Sequence, residues 1–569
     1  MNKLLFGDNL NWLRDRETFP DASVDLIYLD PPFNSNRIFS VLFKSPDGHE
    51  SEAQIEAFKD TWHWNQETER EFDEIIQSGK TDVAEMMRAL RAFLGMNDMM
   101  AYLTMMANRL LELHRVLKPT GSLYLHCDPT ASHYLKVVID GVFGKENYQN
   151  EIIWKRTTTH SDSKTWSRVA DTIFFYTKSD TFCWHTPREA HSEEYIETKY
   201  RHDDSDGRGL YRLDNMTSPN PRPNMMYEWK GFPFPEKGWR YSRETMARLD
   251  EEGRIWYPKK KNGDLDTTKR PQLKRYLNEM SGGVMGTIWT DISPVNSQAE
   301  ERLGYPTQKP LALLERIISA SSNEGDLVLD PFCGCGTAVH AAQKLRRNWI
   351  GIDITSFAIS KIEDRLLKAF PEDSGTEGRR RLQYIIDGLP KDFEDAKNLA
   401  ARVPDGKYQF QWWAVKWLVQ AQPYQDKKKG ADTGIDGIKY FTIYEMAAKV
   451  NPHKKTPPTK KTEKIIVSIK SGENVGPAMV KDLIATVARE KAEIGLFVTL
   501  ARPTPAMVKE AASAGIYKTP SGKKYARIQL LPVEDLMNKT QRAEHPDYEP
   551  DVNYKAAQAE SNAEQQHLV

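Results

Sequence analysis

The chain has 569 residues, and its 79 Lys+Arg against 80 Asp+Glu leave a formal net charge of −1. That length is too great for one hydrophobic core, so two or three domains are expected; near-neutrality excludes a uniformly basic surface, and four cysteines without CxxC spacing exclude a disulfide framework and argue against a zinc site. No stretch approaches about 18 apolar residues and the N-terminus lacks a signal-peptide pattern, so no membrane partner is expected and the chain is assigned to the cytoplasm.

Gly7-Asp8-Asn9-Leu10 precedes an apolar run, Val24 to Leu29, that reads as a buried parallel strand. It ends in Asp30-Pro31-Pro32-Phe33, at the strand end where open α/β sheets bind ligands. An exocyclic base amine is conjugated with its ring and a poor nucleophile, so a catalyst must accept its hydrogens on at least two oxygens. Asp30 supplies one, and the Pro31 carbonyl, held by proline's fixed φ, a second. Phe33 offers a flat face to a base taken out of its stack. Taken alone, the tetrapeptide is also compatible with a plain turn.

Residues 48–100 are charged and helix-patterned (Glu69 to Ile76, Val83 to Phe93), and Met96 to Leu117 continue as an amphipathic helix whose methionines read as core filler. Leu117-Lys118-Pro119-Thr120-Gly121-Ser122-Leu123 then leads into the strand Tyr124-Leu125-His126. Residues 155–300 alternate bases and rings, among them Trp229, Phe232, Trp239, Trp256 and Lys259 to Lys261. Most of the rings are expected to pack a small core, and the lysine run to be a phosphate-facing loop. Tyr305-Pro306-Thr307-Gln308-Lys309-Pro310 follows, and a second apolar run ends in Asp330-Pro331-Phe332-Cys333-Gly334-Cys335-Gly336-Thr337. Gly334 and Gly336 let the backbone approach a ligand, and Thr337 opens a helix whose N-terminus faces it. Asp353 ends the next strand, about 20 residues past the glycines, the spacing at which an acid meets ribose hydroxyls. A third glycine is missing, so no pyrophosphate is cradled and a sulfonium nucleoside suits the site better than a nicotinamide. A plain strand-to-helix turn is the alternative.

These five ordered blocks resemble the DNA amino-methyltransferases of the permuted β class, and the resemblance covers about 370 residues. It implies a Rossmann-like α/β fold in residues 1–375 with a target-recognition insert at 155–300, S-adenosyl-L-methionine as cofactor and double-stranded DNA as partner. Carried over residue by residue, Asp30, Pro31, Pro32 and Phe33 hold the target amine. Asp330, Phe332, Gly334, Gly336, Thr337 and Asp353 bind the cofactor, and Asp8, Thr307 and Lys309 are weaker carry-overs to its methionine or adenine end. An Asp rather than a Ser at the first catalytic position implies adenine N6 rather than cytosine N4. Cys333 and Cys335 stand where the family has small variable residues, which leaves the glycines intact.

Residues 376–405 read as a linker and 541–569 as a polar, disordered tail. Between them, residues 401–540 carry 24 Lys+Arg against 13 Asp+Glu, so nucleic-acid affinity is concentrated here. Gly434-Ile435-Asp436 leads one strand, Lys464 to Lys470 forms another, a basic loop at 451–463 joins them, and helices are expected at Phe410 to Gln420, Val480 to Lys491 and Thr504 to Ala514. This segment resembles the Mrr-like branch of the PD-(D/E)xK restriction-endonuclease fold, a second, smaller α/β domain. The resemblance implies Asp436 as ligand of a Mg2+ ion and Lys470 as its catalytic partner, with Asp432 in reserve and a backbone carbonyl near Ile469 as a further ligand. Ser468 replaces the usual Glu or Gln, and Gln411 stands where an acid often sits. A methyltransferase of a restriction-modification system with an appended nuclease is therefore expected. The alternatives are an inactive DNA-anchoring C-terminal domain and a non-catalytic DNA-binding relic; a homodimer is compatible with all three.

Overall fold

The structure is a computed structural model that describes residues 1–32, 37–44, 50–60, 62–159, 164–280, 282–296, 299, 301–303, 305, 307–370, 382–402, 406–424, 434–445 and 459–546. Nine strands form the main sheet: β1 (Asn2–Phe6), β2 (Val24–Leu29), β3 (Leu117–Cys127), β4 (Tyr148–Lys155), β5 (Ala170–Thr177), β6 (Ile288–Trp289), β7 (Leu327–Asp330), β8 (Asn348–Asp353) and β9 (Tyr384–Asp387). Their order is β6-β4-β5-β3-β2-β7-β8-β1-β9. Neighbours from β3 to β9 run parallel, and β5 is antiparallel to both β3 and β4. The two motif-bearing strands, about 300 residues apart in sequence, are thus adjacent: Val328 pairs with Leu26 and Leu329 with Ile27.

Both faces of the sheet are covered, which is why its central strands read as unbroken apolar runs. Along β2, Ile27 and Leu29 face one core and Leu26 and Tyr28 the other. On the first face lies α2 (Asp98–Val116), the amphipathic helix expected from the sequence. Asn97 caps it by accepting from the Met100 N–H at 2.9 Å, and Met100 and Met106 are fully buried. On the second face lie α3 (Leu311–Ser321), α4 (Thr337–Lys344) and α5 (Ser356–Ala369). Among the described residues no helix is long and apolar enough to cross a membrane.

A second sheet of five strands, β10 (Gln422–Pro423), β11 (Gly437–Glu445), β12 (Thr459–Lys470), β13 (Ile494–Thr499) and β14 (Ile528–Pro532), lies in that order. Strands β12, β13 and β14 run parallel and β11 antiparallel to β12. Before it comes α6 (Gly406–Trp413), which continues as a π-helical turn from Ala414 to Leu418, where one regular helix was expected. Helix α7 (Pro477–Arg489) and the helix Pro505–Ser513 follow.

Some boundaries differ from the sequence reading. By contacts the chain divides into Met1–His185 with Thr287–Val569, and Thr186–Gly286. The insert is narrower than 155–300 because Ala170–Thr177 and Ile288–Trp289 are strands of the main sheet. Its own core holds Met216, Phe232, Trp239 and Met246, and Lys259, Lys260 and Lys261 are exposed. The stretch 376–405 is more than a linker, since Tyr384–Asp387 pairs with β1 and Phe393–Ala401 is helical. Of the expected tail, Gln541 donates to the Leu530 carbonyl at 3.0 Å and Glu544 N–H to Gln529 Oε1 at 2.8 Å; residues 547–569 lie outside the described residues. Of the basic loop, residues 451–458 also lie outside them.

Candidate active site

Strands β2, β7 and β8 end side by side in Asp30, Asp330 and Asp353, and the three acids line one cavity of about 270 Å³. Gly7, Asp8, Tyr28, Pro31, Pro32, Thr307, Lys309, Phe332, Gly334 and Thr337 line it too. Gly336 is beside it as the cap of α4, at φ 75°, where an added Cβ would meet Ile362 at 2.8 Å. A left-handed backbone packed that closely leaves room for glycine only. Of the sequence-derived set, Phe33 lies outside the described residues.

Each acid has a different environment. Lys309 Nζ donates to both Asp30 oxygens, at 2.7 and 2.5 Å, and the ammonium is nearly buried. Lys309, read from the sequence as a cofactor contact, thus pairs with the predicted catalytic carboxylate; the two are 279 positions apart, beyond any local pattern. Asp330 accepts from the Phe332 N–H at 3.1 Å. Burial pushes its carboxyl well above the usual range, partly offset by that bond, and the charges of Asp30 and Asp353 push the same way. Asp353 Oδ2 accepts from the Gly334 N–H at 2.9 Å, and its Oδ1 from Thr355 N–H at 2.8 Å and Thr355 Oγ1 at 2.9 Å. Burial nevertheless raises it to about 6. Four carboxyls line the cavity, Asp8 paired with Arg109 and Asp30 with Lys309, and the two without a cation partner among the described residues, Asp330 and Asp353, suit a cationic ligand such as a sulfonium.

Asp8 is not a free ligand. It caps α1 (Asn9–Arg14) by accepting from the Leu10 N–H at 2.7 Å, and Arg109 of α2 binds it at 2.9 and 3.1 Å. Arg109 Nε also donates to Asn9 Oδ1 at 2.6 Å, and Asn9 Nδ2 to the Pro331 carbonyl at 2.7 Å. This chain ties α2 to the loop after β7. The sequence reading missed it, although one arginine inside the apolar face of a helix is itself a signal, because a buried guanidinium needs a carboxylate.

In the second sheet, Asp436 N–H donates to the Val467 carbonyl at 2.9 Å. Its Oδ1 accepts from Gln411 Nε2 at 3.1 Å and its Oδ2 from the Ile469 N–H at 2.6 Å. Asp436 therefore stands beside the end of β12, which Lys470 closes, and Gln411 reaches it from α6. The Ile469 N–H bond places that residue's backbone, from which a carbonyl ligand is expected, beside Asp436. Asp432 lies outside the described residues. Among the described residues no three acid, histidine or cysteine side chains form a metal-binding group. With both oxygens of its carboxylate engaged by amide donors, Asp436 does not by itself fit a metal.

A family model described as DNA methylase matches residues 24–364, and one described as restriction endonuclease matches residues 408–536. The type II methyltransferase M.EcaI of Enterobacter cloacae is 33% identical over 268 residues, which cover 47% of this chain and 57% of that protein. The Mod subunit of the type III restriction-modification enzyme StyLTI of Salmonella typhimurium is 26% identical over 356 residues, 60% of this chain and 50% of that one. The chain spans about half the length of these curated relatives. Among solved structures, the cytosine-N4-specific PvuII DNA methyltransferase aligns at 12% identity and a TM-score of 0.32, covering 63% of this chain and 85% of its own, a likeness too loose to bear on the reaction. The family match spans more than half of the residues, with the strand-end acids and the glycine loop inside it: the chain belongs to the DNA methylase family and carries a restriction-endonuclease segment behind it.

Proposed function

We propose that the chain methylates adenine N6 in double-stranded DNA with S-adenosylmethionine as donor, in a restriction-modification setting. The observation that carries this reading is the single cavity into which both motif-bearing strands end, with Asp30 held by Lys309 on one side and the Gly334 loop on the other. When bound, the cofactor supplies an electrophilic methyl on a sulfonium. Asp30 and the Pro31 carbonyl accept the amine hydrogens and aim the nitrogen lone pair, and Lys309 fixes the carboxylate's orientation. Asp353 holds the Gly334 loop and keeps one acceptor position for a ribose hydroxyl. The stacking role of Phe33 rests on the sequence alone.

Asp30→Ala is expected to abolish transfer of labelled methyl to DNA while calorimetric cofactor binding persists; retained transfer overturns the assignment. Digestion of the product to nucleosides should give N6-methyladenine, and N4-methylcytosine would overturn the choice of base. For the C-terminal domain we propose one of two roles that experiment separates: DNA cleavage carried by Asp436 and Lys470, which the restriction-endonuclease match supports, or DNA anchoring without cleavage. That both Asp436 oxygens accept from amide N–H groups, of Gln411 and of Ile469, favours anchoring. Plasmid nicking or cutting that needs Mg2+ and disappears in Asp436→Ala and Lys470→Ala supports cleavage. DNA binding without nicking supports the anchor.

A further inference from the structure

Side chains two residues apart on a strand share a face, so Tyr28 and Asp30 point the same way from β2, and both line the cavity. Leu29 pairs with Leu125 on β3, and His126 of β3 pairs with Ile173 on β5, two residues from Asp171. A hydrogen-bonded chain therefore crosses three strands. Tyr28 Oη lies 2.9 Å from His126 Nδ1 and His126 Nε2 3.1 Å from Asp171 Oδ2, and beyond this hydrogen-bonded chain Arg156 Nε forms an ion pair at 3.3 Å from Asp171 Oδ1, without a hydrogen bond. The side chains of His126 and Asp171 have 0% exposure and Arg156 has 43%, so the chain runs from the cavity through the interior to a group in contact with solvent. Trp154 walls the imidazole edge-on at 5.7 Å.

A carboxylate facing Nε2 selects the tautomer with its proton there, which leaves Nδ1 to accept from the tyrosine hydroxyl. Burial pushes the Asp171 carboxyl up, but the bond and charge of His126 and the charge of Arg156 outweigh it, so Asp171 sits below its ordinary value. An ionised carboxylate therefore faces the imidazole Nε2.

Methyl transfer leaves the amine nitrogen positively charged with one proton too many. Lys309 Nζ donates to both Asp30 oxygens, whose remaining acceptor positions hold the amine, and Tyr28 lines the same cavity with a route for a proton behind it. We propose that Tyr28, His126 and Asp171 form the relay that takes this proton away. The N–H proton passes to Tyr28 Oη while the tyrosine's own hydroxyl proton passes to His126 Nδ1. The products are a neutral methylamino group, a neutral tyrosine and an imidazolium facing Asp171. Once the DNA leaves, the proton returns by the same route to water in the open cavity. Charged groups acting on the relay are Asp30 and Asp330 at the tyrosine, and Arg156 and Lys309 at Asp171.

The inference rests on the methyltransferase reading and is tested on the full chain with cofactor and DNA. Single-turnover methyl transfer is measured against pH, in light and heavy water, for wild type, Tyr28→Phe and Asp171→Asn. Both variants are expected to lose roughly 100-fold in rate, the lower end of what a positioned proton acceptor contributes. They should also lose the acid limb of the wild-type pH profile and its multi-proton isotope effect, with cofactor affinity unchanged. Profiles that superimpose on wild type, with only the melting temperature lowered, make the chain structural and overturn the relay. If Asp171→Asn fails to fold, Tyr28→Phe, which removes one oxygen, decides. An inactive wild type defeats the methyltransferase reading itself, whereas an active wild type, a dead Asp30→Ala and an unaltered Tyr28→Phe defeat the relay alone.

Discussion

Lys309 and Asp30 form an ion pair with side-chain exposures of 9% and 18%, so neither charge is screened well by water. Removing one partner of such a pair leaves the other charge desolvated and uncompensated. Lys309→Met is therefore expected to lower stability by about 3 kcal/mol and to abolish methyl transfer, because Asp30 loses the group that orients it. Adding Asp30→Asn should recover most of the stability and none of the activity. Denaturant unfolding of the two single variants and the double variant checks this, and additive losses in the double variant would show that the two side chains act independently. A second residue-scale consequence concerns Asp353, raised by burial from 3.8 to about 6. Between those values the native state keeps a proton that the unfolded chain has lost, so this group's contribution to stability is present in acid and lost as pH rises through about 6. A ribose hydroxyl donates to the ionised form, so cofactor affinity should rise as pH rises through the same value. Titration calorimetry from about pH 5 to about pH 8 should show that break, and Asp353→Asn should flatten it. A break that survives the substitution assigns it to another group.

At the scale of elements, the strands and helices that carry the motifs were legible because each has a local cause. The run Ile494 to Thr499, buried throughout, is an apolar strand in sequence and in space, and α2 announces itself by its periodic apolar face. Gly334, Gly336 and Asp353 could be grouped from the sequence because a loop between two strands brings together residues close in sequence, as the Gly334 N–H bond to Asp353 shows. Lys309 with Asp30, and Arg109 with Asp8, were not, because pairing across 279 and 101 positions is decided by strand order rather than by spacing. The same reason hid β9. Its four residues, Tyr384 to Asp387, become a strand only because the edge of β1 is free to pair with them. The π-helical turn after α6 escaped too, since a helix-forming sequence does not state which carbonyl each N–H will reach.

At the scale of the whole molecule, the methylase sheet and the nuclease-like sheet share one continuous apolar core rather than two cores joined by a tether. That cluster holds Ile362 and Leu366 of α5 together with Phe410 and Trp413 of α6, Phe441 of β11 and Leu531 of β14. Polar contacts reinforce the seam: Gln409 Oε1 accepts from the Ser356 N–H at 3.2 Å, and Lys416 Nζ reaches Asp364 at 3.0 Å. Two domains meeting through a mostly polar surface unfold separately, but a shared core makes the second domain's loss expose the first. Trp413 is 2% exposed within that seam, so Trp413→Ala opens a cavity that both sides line. It is expected to cost about 3 to 5 kcal/mol and to lower one common transition. Calorimetry with and without S-adenosylmethionine separates the cases. If the core is shared, the cofactor raises the melting of the nuclease-like domain along with that of the methylase, although it touches only the latter. Two transitions, with the cofactor shifting one and Trp413→Ala the other, would mean that the seam transmits no stability between them.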